Sequence, residues 1–144
     1  MNLQTFLAQF GITQHIDAKL IGRSYYRNAA LDLLKFNPLY SGECIAHERG
    51  THLIPSTTFL QWMAKHAQHT VTVDEEGAWL FICRRDIISR HVKKHTKPPV
   101  GAQVIVLNKY GDCLGYAKLT GPLSSKQVVL RHHFDIGDLL RREP

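Results

Sequence analysis

The chain has 144 residues, 44% of them hydrophobic and 21% charged, the size and balance of one soluble domain or of one domain with an extension. No apolar run approaches the roughly 20 residues of a membrane helix, and the opening Met1-Asn2-Leu3-Gln4 lacks the basic and apolar regions of a signal peptide. Three scattered cysteines, Cys44, Cys83 and Cys113, offer neither a disulfide framework nor a C-x-x-C zinc pattern, so the expectation is a cytoplasmic protein.

The first half reads as mostly helical. Leu3, Phe6, Leu7 and Phe10 recur at helical spacing and stop at Gly11. Ala30, Leu31, Leu33 and Leu34 place a short helix over residues 28–36, which Asn37-Pro38 ends, and residues 40–46 read as extended. Pro55-Ser56-Thr57 is a helix start, leading into Phe59, Leu60, Trp62, Met63 and Ala67 and running to about residue 69.

The pattern changes near residue 70. Val71-Thr72-Val73 is β-branched, Glu75-Glu76-Gly77 reads as a turn, and the apolar run from Trp79 to Cys83 as a buried strand. Asp86 is positioned to cap a short helix in which Ile87, Ile88, His91 and Val92 share a face, ended by Pro98-Pro99. Residues 103–107 and 113–119 form a hairpin around the polar turn Asn108-Lys109-Tyr110-Gly111-Asp112. Residues 127–134 are a further strand and residues 136–142 a final short helix, while Trp62 and Trp79 fall on apolar faces and are expected in the core. The reading is mixed α+β, with one domain over residues 1–70 and a second over 71–144.

Charge divides along the same boundary. Residues 1–76 hold 6 basic and 7 acidic side chains, a balance of −1, whereas residues 77–144 hold 12 and 5, a balance of +7. Arg84, Arg85, Arg90, Lys93, Lys94 and Lys97 crowd one stretch, and Lys126, Arg131, Arg141 and Arg142 follow nearer the C-terminus. A one-sided basic surface is the footprint of a polyanion partner, although a solvated face produces the same composition. Tyr110 at the hairpin tip and Phe134 at a strand end are the aromatics placed to stack on a base, with core packing the default for Phe134.

Enzyme signatures are missing. There is no dinucleotide or phosphate-loop glycine pattern, no G-x-S-x-G and no H-E-x-x-H, so neither a catalytic residue nor a cofactor is assigned. His91 and His95, and His66 and His69, have helical spacing for two imidazoles, but a catalytic zinc normally needs a third protein ligand, and no metal site is assigned. Cys83 beside Arg84 and Arg85 has the charge setting of a reactive thiol, yet the end of an apolar run is more often inert.

From Val71 onward the order of features resembles a PUA domain, an RNA-binding fold. The residues that carry the likeness are Val71–Phe81, Arg85-Asp86-Ile87, Val92, Gly101–Val106 and Gly111–Ala117. The ending from Phe134 through Asp135-Ile136-Gly137-Asp138-Leu139-Leu140-Arg141-Arg142-Glu143 resembles a ribosome-biogenesis family whose members carry a C-terminal PUA domain: the eukaryotic large-subunit assembly factors and their archaeal relatives. Tyr25-Tyr26-Arg27-Asn28, Tyr40–Ala46 and Leu53–Leu60 follow the order of that family's N-terminal domain, so the likeness covers residues 23–144. Relatives often carry glycine where Arg84 stands, and a second one where His91 precedes Val92; Arg84 adds charge at the first of these positions.

The resemblance implies a small α/β N-terminal domain followed by a PUA-like pseudo-β-barrel with short helices. It also implies a non-enzymatic protein that binds RNA, rRNA foremost and tRNA as the alternative, in ribosome assembly. Arg84, Arg85, Arg90, Lys93 and Lys94 would neutralise phosphates, with Arg131, Arg141 and Arg142 extending the track. The near-neutral first half would dock pre-ribosomal assembly proteins, with no membrane or DNA partner. The alternatives are an accessory subunit of an RNA-modification enzyme and a small metal- or thiol-dependent enzyme built on the histidines and Cys83.

Overall fold

In a computed structural model the described residues are 1–137 and residue 141. Helix α1 (Leu3–Ala8) begins at Asn2, whose side chain accepts from the Thr5 amide at 2.7 Å, and it buries Leu3, Phe6 and Leu7. Strands β1 (Ala18–Ile21), β2 (Ser24–Arg27), β3 (Glu43–Arg49) and β4 (His52–Pro55) then build a four-stranded antiparallel sheet in chain order. Residues 28–36 do not form the expected α-helix. Only Leu31–Phe36 winds, as a 3₁₀ turn with no buried residue, because nothing packs over its apolar side chains. Helix α2 (Thr57–His66), capped by Ser56, buries Phe59, Leu60 and Met63.

The second half is a curled six-stranded sheet. Its strands are β5 (Thr70–Val73), β6 (Ile87–Ile88), β7 (Val92–His95), β8 (Gln103–Leu107), β9 (Cys113–Leu119) and β10 (Val128–Asp135). They lie in the order β6-β10-β9-β8-β5-β7, with β5 parallel to β8 and the other pairs antiparallel. Register shifts in β10, β9 and β7 bend the sheet round its own core.

Several expectations in this half are corrected, among them the turn at Glu75-Glu76-Gly77, which is helical. The run from Trp79 to Cys83 is not a strand but the end of helix α3 (Glu75–Ile82). Asp74 caps it by accepting from the Gly77 amide at 2.7 Å, and Glu75 and Glu76 occupy its first turn, where carboxylates favour the positive end of the helix dipole. The helix buries Gly77 and Phe81, four residues apart, and leaves Trp79 68% exposed instead of in the core. The stretch after Asp86 is not a helix either: Ile87-Ile88 pairs with β10, Ser89–His91 is a 3₁₀ turn, and β7 pairs with β5. Asp86 accepts the His132 amide at 2.9 Å, across the sheet, instead of capping its own segment.

Two cores meet at β8. Val104 and Val106 face Phe81, Leu114 and Val129, whereas Ile105 faces Phe10, Phe59 and Met63. A strand buried on both faces explains why Val104-Ile105-Val106 is apolar without alternation. Gln61 of α2 fastens the second contact: its side-chain amide donates to the Cys113 carbonyl and its oxygen accepts the Cys113 amide, both at 3.0 Å.

Candidate functional site

The β3–β4 connection is a two-residue turn in which Arg49 pairs with His52, and Gly50 supplies the positive φ of 62° that this tight turn demands. The turn projects beside the end of β10. Between them lies a groove of ≈960 Å³, lined by Arg49 and His52 on one side and by Arg84, Arg131, His133 and Arg141 on the other. Its floor includes Tyr116 and Phe134, whose rings stack with centroids 5.4 Å apart.

Asp135 is the acidic residue of this groove among the described residues, and it is 2% exposed. It accepts from His132 Nε2 at 2.7 Å and from one Arg141 nitrogen at 3.0 and 3.1 Å. The other Arg141 nitrogen donates to the Ile82 carbonyl at 2.7 Å, tying the negative end of α3 to β10. The carboxylate is thereby matched by its neighbours. Among the described residues the side chains of Arg49 and Arg131 make neither a hydrogen bond nor an ion pair.

Arg84 reaches the groove from an unusual backbone position. The Arg84 amide bonds to the Phe81 carbonyl and the Arg85 amide to the Leu80 carbonyl at 2.9 Å, a Schellman closure of α3. Arg84 is the left-handed residue of that closure, with φ at 62°, where glycine is the usual occupant.

Two further polar groups stand in the wall, the exposed His133 and the half-buried Gln103. Desolvation, followed by the positive charges of Arg131 and Lys118, holds His133 below the usual histidine pKa of 6.5. Gln103 Nε2 lies 3.0 Å from His133 Nδ1, while Gln103 Oε1 is buried without a partner among the described residues.

The expected basic set is thus divided. Arg84, Arg131 and Arg141 converge on this groove. Arg90 pairs with Glu76 at 3.3 Å and Lys93 with Asp74 at 3.8 Å, and both lie outside it. Lys93 lines a second groove of ≈750 Å³ with His95 and Lys97, whereas Arg85 and Lys94 are exposed and line neither. Arg142 lies outside the described residues. Tyr110 is exposed at its hairpin tip, with Lys109 over its ring at 5.0 Å, and Phe134 packs on Tyr116. Arg49 and His52 were not legible as site residues, because the near-neutral charge of the first half pointed to protein docking and not to RNA contact; the hairpin sequence Arg49-Gly50-Thr51-His52 was the available signal. Among the described residues no cluster of three metal-ligating side chains occurs, and no helix is long and apolar enough to cross a membrane.

Residues 69–144, the curled sheet and its short helices, match the family described as UPF0113 PUA domain. The chain belongs to the UPF0113 PUA-domain family. A UPF0113 protein of Archaeoglobus fulgidus is 27% identical over 115 residues, which span 76% of this chain and 66% of that relative, just short of two thirds. A conserved PUA domain protein from Thermoplasma acidophilum shares the fold over 99% of this chain and 92% of its own, with a TM-score of 0.63 at 16% identity. A PUA domain from Aeropyrum pernix, solved as a tartrate complex, superposes with a TM-score of 0.56 at 15% identity, over 67% of this chain and 59% of its own. In this UPF0113 chain the family match covers Arg84, Arg131 and Arg141 but not Arg49 or His52, so the groove joins the PUA part to the segment before it.

Proposed function

We propose that this protein binds RNA and serves, without catalysis of its own, in ribosome assembly on large-subunit rRNA. The observation that carries the reading is the convergence of Arg84, Arg131 and Arg141, from three separate stretches, on one groove of a PUA fold. Guanidinium groups match phosphate oxygens in pairs, and such contacts fix the position and affinity of RNA, not its sequence. Arg85, Arg90, Lys93 and Lys94 add positive potential beside the groove and guide the approach of a polyanion; Arg142 belongs to the same track.

In this reading residues 71–144 form the RNA-binding domain and residues 1–70 the module that docks assembly proteins. Leu31, Leu33, Phe36, Leu39 and Tyr40 give that module exposed apolar side chains on one short stretch, which supports the docking role. Leu33→Asp with Phe36→Asp in the full chain is expected to lose co-purifying proteins and keep RNA; retention of both would refute the docking role.

Crosslinking to RNA in native cells, followed by sequencing of the bound fragments, tests the main reading. Enrichment of precursor large-subunit rRNA is expected. Enrichment of tRNA instead would make the protein an accessory of RNA modification, and enrichment of no RNA would reduce the basic face to a solvated surface.

A further inference from the structure

The cationic groove has two walls, and they come from different halves of the chain. One is the end of β10 with the loop after α3; the other is the β3–β4 turn carrying Arg49 and His52. We infer that the groove is a composite site for an unpaired stretch of RNA, in which the β3–β4 turn is the second phosphate-binding wall. The inference rests on the RNA-binding reading and goes beyond it in assigning RNA contact to the first half and in naming the form of RNA.

Charge supports the first element. Arg49 is exposed, makes no side-chain pairing among the described residues, and faces a groove in which Asp135, the acidic residue among the described ones, is already matched by His132 and Arg141. Arg49 and Arg131, two guanidinium groups without a side-chain partner among the described residues, line the same groove, and a phosphate chain passing between the walls meets both. The turn that holds Arg49 is fixed by the β3–β4 ladder, so the residue is presented at a defined height on the wall instead of on a loose loop.

The floor supports the second. Tyr116 and Phe134 stack beneath the cations and are only partly buried, so they offer apolar ring surface inside a polar groove. Gln103 Oε1 is buried in the same wall and has no hydrogen-bond donor among the described residues. An unstacked base, with an exocyclic amine, or a ribose 2′-hydroxyl fits that vacancy in hydrogen bonding. A base-paired helix keeps its bases stacked inside, so it presents phosphates to the rim and leaves the aromatic floor and Gln103 unused.

The test measures the salt dependence of binding to an oligoadenylate of about 12 nucleotides and to an RNA duplex of the same strand length. The full chain is compared with Arg49→Gln, Arg49→Glu, Gln103→Leu and, as a control on β1, Lys19→Gln. The inference expects tighter binding of the single strand. Arg49→Gln weakens binding several-fold and lowers the salt slope by about 0.7, the share of one phosphate on a single strand. Arg49→Glu weakens it further, Gln103→Leu weakens it without changing the slope, and Lys19→Gln behaves as wild type. Circular dichroism melts of the variants separate lost contacts from lost fold. Should wild type bind RNA while both Arg49 variants keep its slope, the composite site is overturned and the RNA-binding reading stands. Equal or tighter binding of the duplex, or an unaffected Gln103→Leu, overturns the unpaired form. If wild type binds neither RNA, the underlying reading falls, and this inference with it.

Discussion

Arg84 sits where backbone strain and proposed function pull in opposite directions, and a pair of substitutions separates them. An L-residue in the left-handed region costs roughly 1–2 kcal/mol, and Arg84 occupies that region at φ 62° as the closing residue of α3. Arg84→Gly and Arg84→Ala both remove the guanidinium and every interaction of that side chain, so their difference isolates the backbone. Glycine escapes the steric term but gives up about 0.5–1 kcal/mol through the greater freedom of the unfolded chain. The net advantage of glycine over alanine is therefore about 0.7 kcal/mol, the middle of the difference between those ranges. With a urea m-value of about 1–2 kcal/mol/M, that is a midpoint roughly 0.3–0.7 M higher for the glycine variant. RNA affinity should fall by the same factor in both, with a salt slope lower by about 0.7–0.9. Parallel urea titrations and salt-dependent RNA binding provide the readout. Equal urea midpoints would show that the strain of the left-handed position does not exceed the roughly 0.5–1 kcal/mol that glycine gives up, and would refute the expected gain. Unequal RNA affinities would show that the shape of the loop, not the guanidinium, matters to RNA.

Burial pushes the Cys113 thiol up to about 12, while Cys44 and Cys83 are exposed, so a thiol reagent at neutral pH should label two cysteines quickly and the third only on unfolding; fast labelling of all three refutes that packing. Asp135→Asn removes the charge that Arg141 and His132 share, and with Arg141 one-third exposed the expected loss in urea is about 2 kcal/mol; a change below about 0.5 kcal/mol would deny the cluster a structural role. His133 should titrate below 6.5 by NMR in the free protein. The fold then favours its neutral ring: below the unfolded value the unfolded chain takes up the proton first, so this residue's contribution is present above that value and lost as pH falls. Phosphates bound in the groove should move the midpoint up; a free-state midpoint at or above 6.5 contradicts the desolvated wall. Trp79→Ala should alter stability by no more than about 0.5 kcal/mol, since the ring is 68% exposed, and a larger loss would return it to the core.

What the sequence disclosed follows the range of the interactions involved. The β8–β9 hairpin was legible because a polar, glycine-containing turn between two apolar segments is a local signal, and α2 because Ser56 and the spacing of Phe59, Leu60 and Met63 are local too. The run from Trp79 to Cys83 was misread because five apolar residues fit a buried strand as well as a helix; the deciding information lay upstream, in Asp74 followed by Glu75 and Glu76. Ile87-Ile88 was misread for the opposite reason, since its structure comes from pairing with β10, some 40 residues further along the chain. The groove was half legible. Arg84 and Arg131 were visible as charge, but the meeting of β10 with the β3–β4 turn is a product of topology, and no tally along the chain brings Arg49 to Arg131.

The same topology determines how the halves act on one site. Tyr116, in the floor, is met edge-on by Phe6 and Phe10, with ring centroids 5.9 and 5.2 Å away, and Phe6 of α1 itself lines the groove, so α1 helps set the position of that surface. Edge-to-face aromatic contacts are each worth about 0.5–1.5 kcal/mol beyond burial and have a preferred geometry, which makes them effective at fixing a ring. The first half therefore bears on the groove twice, through Arg49 at its rim and through α1 beneath its floor. A cut near residue 70 would take away both, and would also open the face of β8 on which Ile105 meets Phe59 and Met63. Loss of RNA affinity on such truncation would not by itself locate the binding residues in the first half, because the floor loses its support at the same stroke. Single substitutions at the rim, which leave α1 and both cores in place, carry that information instead.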